Sequence, residues 1–542
     1  MTFLNRHMKK PIFAVVMALS VATLPHQPHA GGHETANRLL AVSLDSLGGK
    51  DAVERIRSIS SISEVELLGT GLKGSIESYT LKPCLSRTTV TLGSLIIEQG
   101  YDGNRIWLID QNGKLQYRRD TGSVRDQVSA CLMENFGYLF PESGFTAEYA
   151  GLDTLDGTAC HVIDILPDGG SPCKLLLDSS TFLMKSLFLD NSEGGVEQVY
   201  SDYRVIEGVK LPFHTISRQL ATGMTFEIRT VSIEINQRQD PLVFFPPVTD
   251  KLDYEFVIGN SSEDIVFTYE NGHIYLPVRI HGSLDELMFM VDSGAGMTVI
   301  DSSLAVGYGL TLEGPVRGIG AFGQADFFIT RIEGLSIEGI EFQGQNVISY
   351  PLSGIIERSG GLPVGGILGY DFLSRFISLI EFESGTISFF QPDSFESPDY
   401  FVPVEAPLIH NVFALTGTLD GKYVGTFLLD TGANSSMLSS GFIRENGLGG
   451  DEGSNGIMVL GAGGAQQTEA ASFESFVIGP FTIRDPSFLL STVESGLGSF
   501  KSVSGIIGND ILERFTVILD YVNQSVYLDG NTFSADEKEE MH

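Results

Sequence analysis

Apolar residues at helical spacing come early in this chain and then stop. NRLLAVSLDSLGG places them three and four positions apart and ends at Gly48-Gly49, which predicts one helix; DAVERIRSI predicts a second, shorter one. Beyond these the period falls to two. SEVELLGTG, IWLIDQNGKL, CHVIDIL, KLLLDSSTFLMKSLFL and MTFEIRTVSIEI are short alternating runs broken by turn residues, and Asn112-Gly113 between WLID and KLQYR is a hairpin signal. The prolines of DPLVFFPP close this segment. The 62 glycines and 35 phenylalanines favour turn-rich β structure over long helices.

The second half has the same texture and repeats itself. IYLPVRIHGSLDELMFMVDSGAGMTVID parallels NVFALTGTLDGKYVGTFLLDTGANSSMLS, GIGAFGQADF parallels VLGAGGAQQTEA, and GGILGYDFLSRFISLIEFESGTISFF parallels SGIIGNDILERFTVILDYVNQSVYLD. Asp292 and Asp430 are 138 residues apart (430 − 292), and Asp371 and Asp510 are 139 apart (510 − 371). Register held over three blocks predicts a duplicated all-β lobe. In each copy an apolar strand, LMFMV or GTFLL, ends in an acid, a hydroxyl, a glycine and an alanine. One such turn is ordinary loop chemistry. Two, each placing a carboxylate at the edge of a core where desolvation shifts its pKa, point to chemistry. Each copy also supplies a later apolar-apolar-glycine, Ile367-Leu368-Gly369 and Ile506-Ile507-Gly508.

A length of 542 residues predicts three or four domains, and 42% apolar with 19% charged residues describes a folded chain. The formal charge is −34; from Leu252 onward 39 acids face 11 bases, a net of −28. Such a field repels phosphate backbones and argues against nucleic acid as a partner. Arg6, Lys9 and Lys10 followed by PIFAVVMALSVATL read as a signal peptide over 1–30, with cleavage after Ala22 or Ala30. No later run approaches the roughly 18 apolar residues of a membrane span. The expectation is an exported protein, periplasmic or extracellular. Cys84, Cys131, Cys160 and Cys173 all lie in the N-terminal half, allow three pairings, and match no zinc spacing.

The segment carrying LGGKDAVERIRSI, YDGNRIWLI, VYSDYRVIEGVKLPF and EINQRQDPLVFFPP resembles the periplasmic lipoprotein-carrier (LolA-like) family. That resemblance implies a curved antiparallel sheet, or half-barrel, with short helices over its open side and an apolar ligand; scaffolding or partner docking is the plainer alternative. The second half resembles the retropepsin-like aspartic peptidases, whose signature is Asp-Thr/Ser-Gly-Ala with a later Ile-Ile/Leu-Gly. The resemblance implies two pseudo-symmetric β-barrel lobes with Asp292 and Asp430 as the catalytic pair. Ser293 and Thr431 would hydrogen-bond across the pseudo-twofold, and Gly294 and Gly432 would let the turns approach. The expected domains are the carrier-like β domain 31–248, lobes 249–395 and 396–530, and an acidic tail 531–542.

Two carboxylates about 3 Å apart share one proton, so one can activate water while the other protonates the substrate. Neither metal nor cofactor is needed, and the expected partner is a peptide or protein substrate. GIGAFG matches a dinucleotide pattern, but that pattern counts only between a strand and a helix. Here QADFFITRIEGLSIEGI continues as strand. Gly320, Ala321 and Phe322, with Gly461, Ala462 and Gly463, are therefore expected at the tips of two hairpins, which in the resembled family are flaps over the substrate. The lobes diverge after the motif, with Gly296 in one and Asn434 in the other. The histidines, His281 and His410 included, show no pairing pattern and are expected at the surface. Asp301 and Asp371 are expected to matter little, lying outside the motif. The reading is an exported aspartic endopeptidase. The alternative is an envelope lipid- or peptide-binding protein with the lobes as scaffold, and a third possibility pairs equivalent lobes between two chains.

Overall fold

The computed structural model describes residues 32–192, 194–247, 252–283, 285–352, 362–398, 400–450, 456–493 and 502–529. The expected signal peptide and acidic tail lie outside these residues. The alternating runs of the first half form a thirteen-stranded antiparallel sheet. Strands from Ser58–Leu67 to Leu115–Arg118 follow chain order, as do those from Phe145–Leu155 to Thr225–Ile235. The two runs join where the first strand meets the last, with Ile59 opposite Ile235 and Leu67 opposite Phe226.

Helix Gly32–Leu47 buries Ala36, Leu39, Leu40, Leu44 and Leu47, one face at three- and four-residue spacing, against Ala147, Ile163 and Leu175 of the sheet. The second expected helix is shorter than its pattern, Lys50–Glu54, because Ser58 and Ile59 already belong to the first strand. A third helix, Thr121–Glu134, was not expected: only Ser129, Leu132 and Met133 are buried along it. Its start is capped by Asp120, whose carboxylate accepts the Ser123 N–H at 2.8 Å. A Cys84–Cys131 disulfide ties this helix to the sheet, while Cys160 and Cys173 are buried free thiols.

The duplicated half folds as two β lobes with one continuous core. Phe289, Phe342, Phe376, Phe389, Phe413, Phe427, Phe476, Phe488 and Phe515 are fully buried in it. Each such ring contributes about 1.5–3 kcal/mol by leaving water, so the core accounts for the phenylalanine-rich composition. A six-stranded sheet spans the junction, pairing Ile377–Glu381 of the first lobe with Thr516–Asp520 of the second, Ile377 opposite Asp520.

The N-terminal sheet docks on the first lobe through the Asn112-Gly113 hairpin. Asn112 Oδ1 accepts the Asn346 N–H at 2.7 Å, Asn112 Nδ2 donates to the Asn346 carbonyl at 3.1 Å, and Asn346 Nδ2 donates to the Gln111 carbonyl at 2.8 Å. Beside it the Arg375 guanidinium is buried between Asp253, at 2.6 Å, and Asp110, at 3.7 Å. Burial, with Arg375 nearby, lowers the Lys114 ammonium to about 7. Three histidines depart from expectation: His281 pairs with Glu341 at 3.0 Å, His214 with Glu227 at 2.9 Å, and His273 is buried, while His33 is exposed.

Candidate active site

Each acid turn sits where a strand flanked on both sides ends. Glu286–Val291 runs parallel to Gly366–Leu368, with Val291 opposite Leu368, and Val299–Asp301 packs antiparallel on the other side of that short strand. The second lobe repeats this, with Leu429 opposite Ile507 and Met437 opposite Ile506. Alternate residues of each strand face two clusters, Phe289 and Val291 the main core and Met290 a second, Phe427 and Leu429 the main core and Leu428 another, and a strand covered on both faces reads as an apolar run. The Asp292 and Asp430 N–H groups donate to the Leu368 and Ile507 carbonyls, both at 3.0 Å. The apolar-apolar-glycine of each lobe therefore anchors its acid. Gly369 must lack a side chain, because a Cβ there would stand 2.5 Å from the Met297 carbonyl oxygen.

The turns then lock together. The Ser293 N–H donates to Thr431 Oγ1 at 2.9 Å and the Thr431 N–H donates to Ser293 Oγ at 3.0 Å. Each hydroxyl donates onward to the strand beneath the other acid: Ser293 to the Leu429 carbonyl and Thr431 to the Val291 carbonyl, both at 3.0 Å. Both N–H groups and both hydroxyls at this buried crossing are paired. Each carboxyl lies over the other turn's glycine: a Cβ on Gly294 would meet Asp430 Cγ at 2.5 Å, and one on Gly432 would meet Asp292 Cγ at 2.3 Å.

The two carboxyl groups stand within hydrogen-bonding reach of one another, and both residues are half-buried. Burial raises both. Asp292 is pushed well above the usual carboxylate range, first by desolvation and then by the charge of Asp430, against hydrogen bonds from the Gly294 and Ala295 N–H groups at 2.8 and 2.9 Å. Asp430 is also raised by desolvation. It is drawn back by the hydrogen bond from Asp292 and by backbone N–H groups, Gly432 at 2.8 Å among them.

A second pair of acids lies behind the first, and Asp371, expected to matter little, is hydrogen-bonded into its turn. Asp371 Oδ1 accepts the Thr298 N–H at 2.7 Å and its hydroxyl at 2.6 Å, and Thr298 Oγ1 accepts the Gly369 N–H at 3.3 Å. Asp510 Oδ1 holds Ser436 in the same way, at 2.9 and 2.7 Å, and Ser436 Oγ accepts the Gly508 N–H at 3.0 Å. Burial raises the Asp371 carboxyl to about 6. The recurrence of Asp371 and Asp510 in the repeat was the signal for this role. Asp301 caps the helix Ser302–Gly307 and accepts the Leu352 N–H at 2.9 Å. Asn509 had no motif to mark it; its Nδ2 donates to the carbonyls of Thr431 and Gly272, both at 2.7 Å. The divergent pair differs in surroundings, since Gly296 faces open space while Asn434 packs under Gly272.

GIGAFG and GAGG are hairpin tips, between strands Glu313–Gly320 and Gly323–Ile337 and between Ile457–Gly461 and Gly464–Ser472. The tips touch. The Phe322 N–H donates to the Ala462 carbonyl at 3.1 Å, a Cβ on Gly320 would meet that oxygen at 2.4 Å, and one on Gly463 would meet the Gly323 oxygen at 2.4 Å. Gly461 lies against Ala321 and Phe322.

Residues 276–372 and 415–511 each match the family model described as aspartyl protease. An aspartic proteinase from Irpex lacteus is 12% identical, covering 51% of this chain and 99% of its own, with a TM-score of 0.32. A LolA superfamily protein from Nitrosomonas europaea is 10% identical over 38% of this chain and 96% of its own, TM-score 0.28. A DUF1329 family protein from Desulfovibrio piger is 12% identical over 39% and 96%, TM-score 0.29. No curated protein matches the chain. Among the described residues no helix is long and apolar enough to cross a membrane. Two tandem segments of this chain therefore match the aspartyl protease family, and each brings one of the two acid turns.

Proposed function

We propose that the chain is an aspartic endopeptidase whose catalytic pair, Asp292 and Asp430, forms within one molecule. The observation that carries this reading is the mutual seating of each carboxyl over the other turn's glycine. Like charges that close cannot both ionise, so the pair holds one proton. Burial raises both acids, and the proton belongs to the pair; with it on Asp292, Asp430 is the base, and with it on Asp430 the two roles exchange.

A water between them loses a proton to Asp430 as its oxygen bonds to the peptide carbonyl carbon. Asp292 gives its proton to the carbonyl oxygen, leaving a neutral tetrahedral diol. One diol hydroxyl then returns a proton to Asp292 while Asp430 passes its own to the amide nitrogen. The C–N bond breaks to an acid and an amine, and the pair returns to its starting state. The hairpin tips Gly320–Phe322 and Gly461–Gly463 are the flaps that exclude bulk water above the acids. Meeting of the two turns in one chain supports this arrangement over pairing between chains, and the basic and then apolar opening of the sequence supports export.

The test is cleavage of a mixed peptide library by the full chain, read by mass spectrometry. The expected result is cut peptides with the parent and none with Asp292→Asn. A folded parent that cuts nothing would contradict the proposal and favour a binding protein whose lobes are scaffold.

A further inference from the structure

The two hairpins whose tips meet are alike in sequence but not in what holds them. Ile329 of the first is 2% exposed, in a cluster with Leu67, Leu72, Leu92, Leu95 and Met224 of the N-terminal sheet. Those residues flank three hairpin turns at one end of that sheet. Polar contacts fix the same junction on both strands of the hairpin. Glu313 accepts the Ser94 N–H at 2.8 Å, and Gln324 Nε2 donates to the Ala221 carbonyl at 2.7 Å. Gly93, in the left-handed region at φ +58, leaves room for the glutamate: a Cβ there would stand 2.2 Å from its carboxylate oxygen.

The brace covers the shaft from its base to just below its tip. Glu313 is opposite Ile329 at the base, and Gln324 is one pair from the Gly320–Gly323 tip. The second hairpin, paired from Ile457–Thr468 to Gly461–Gly464, leaves Ile457 and Met458 37% and 60% exposed. Among the described residues no hydrogen bond joins it to the N-terminal sheet. What holds it is its own lobe, where Gln466 Oε1 accepts the Thr492 N–H at 3.0 Å, the Thr468 hydroxyl donates to the Leu490 carbonyl and Glu469 pairs with Leu490, together with the tip contact at Ala462.

We infer that the N-terminal sheet is part of the enzyme's working frame, with Glu313, Gln324 and Ile329 as positioning residues that hold the first flap still while the second opens and closes. The functional half of this statement rests on the peptidase reading; the mechanical half does not. A fixed flap presents a preformed backbone edge to the substrate, so the ordering cost of binding falls on one flap instead of two. Releasing it weakens substrate binding and leaves the bond-breaking step alone, because neither acid is touched.

The test is amide hydrogen exchange by mass spectrometry on the full chain, comparing peptides within 316–328 and 457–468. In the parent, the second flap exchanges faster by about tenfold or more. In Glu313→Ala/Gln324→Ala, which leaves the apolar cluster intact, the first flap gains about tenfold, as two lost hydrogen bonds would give. The second flap and the strand Glu286–Val291 stay as they were. Ile329→Ala gives the same pattern, and in both variants KM rises several-fold with kcat within about twofold. Equal exchange of the flaps in the parent would overturn the inference, as would a first flap unchanged in the double variant. Exchange needs no turnover: a parent with the asymmetry but no cleavage supports the brace and contradicts the peptidase reading.

Discussion

Ser293 and Thr431 each accept the other's backbone N–H, at 2.9 and 3.0 Å, across the junction of the two lobes. The crossing is buried, so its hydrogen bonds are stronger than in water and their loss is uncompensated. Thr431→Val keeps the shape and removes the hydroxyl, leaving the Ser293 N–H and the Val291 carbonyl without partners. The expected cost is about 2–4 kcal/mol in chemical denaturation, with peptidase activity falling at least tenfold. Thr431→Ser restores both within about 1 kcal/mol, because the oxygen is retained.

Gly294 and Gly432 are glycine because the opposite carboxyl occupies the space of a side chain. Gly432→Ala puts a methyl group where Asp292 Cγ would stand 2.3 Å away. The turns must separate, and a shift of about 1 Å at reacting groups costs roughly a hundredfold in rate. Initial-rate measurements on Gly294→Ala and Gly432→Ala should both show kcat loss of that order, with the fold retained by circular dichroism.

Asp371 separates two effects. Asp371→Ala removes the acceptor of the Thr298 N–H and hydroxyl and should destabilise by about 2–4 kcal/mol. Asp371→Asn keeps an acceptor oxygen and removes a charge that burial disfavours. Its carboxyl is raised from 3.8 to about 6 in the folded state, so the stability tied to its proton is full below 3.8 and lost as pH rises through 6. Relative to parent, Asp371→Asn should gain up to about 3 kcal/mol between pH 4 and pH 7. Melting curves at the two pH values check this; a gain on acidification would reverse the sign.

Asp292→Asn and Asp430→Asn should abolish hydrolysis and yet melt higher than the parent at neutral pH. Burial raises both acids, so their ionisation opposes folding once pH exceeds the ordinary carboxylate range. The advantage of either variant should shrink as the medium is acidified and the parent's acids take up protons.

The parts of this site that sequence displayed are those made of neighbours in the chain. Apolar strand, acid, hydroxyl and glycine are contiguous at Asp292 and again at Asp430, and the tips Gly320–Phe322 and Gly461–Gly463 announce themselves by glycine. The doubled strand pattern likewise carried the β architecture. Contacts between distant residues were hidden. Asp371 finds Thr298 across 73 residues, His281 finds Glu341 across 60, and Asn112 finds Asn346 across 234. The pairing of Cys84 with Cys131 depends on bringing their Cα atoms to 5.4 Å. The helix Thr121–Glu134 is hard to read from sequence because its apolar stripe is weak, although Asp120 before it is a legible cap.

The central claim is that Asp292 and Asp430 work as one proton-sharing pair, and the initial rate of peptide hydrolysis from about pH 3 to pH 8 tests it most directly. A pair holding one proton is active only between its two apparent pKa values. The rate should rise and then fall as a bell, its alkaline limb marking loss of the shared proton, and both asparagine variants should lie flat at background. A parent profile without an alkaline limb, or an Asp430→Asn variant retaining near-parental rates, would contradict the account.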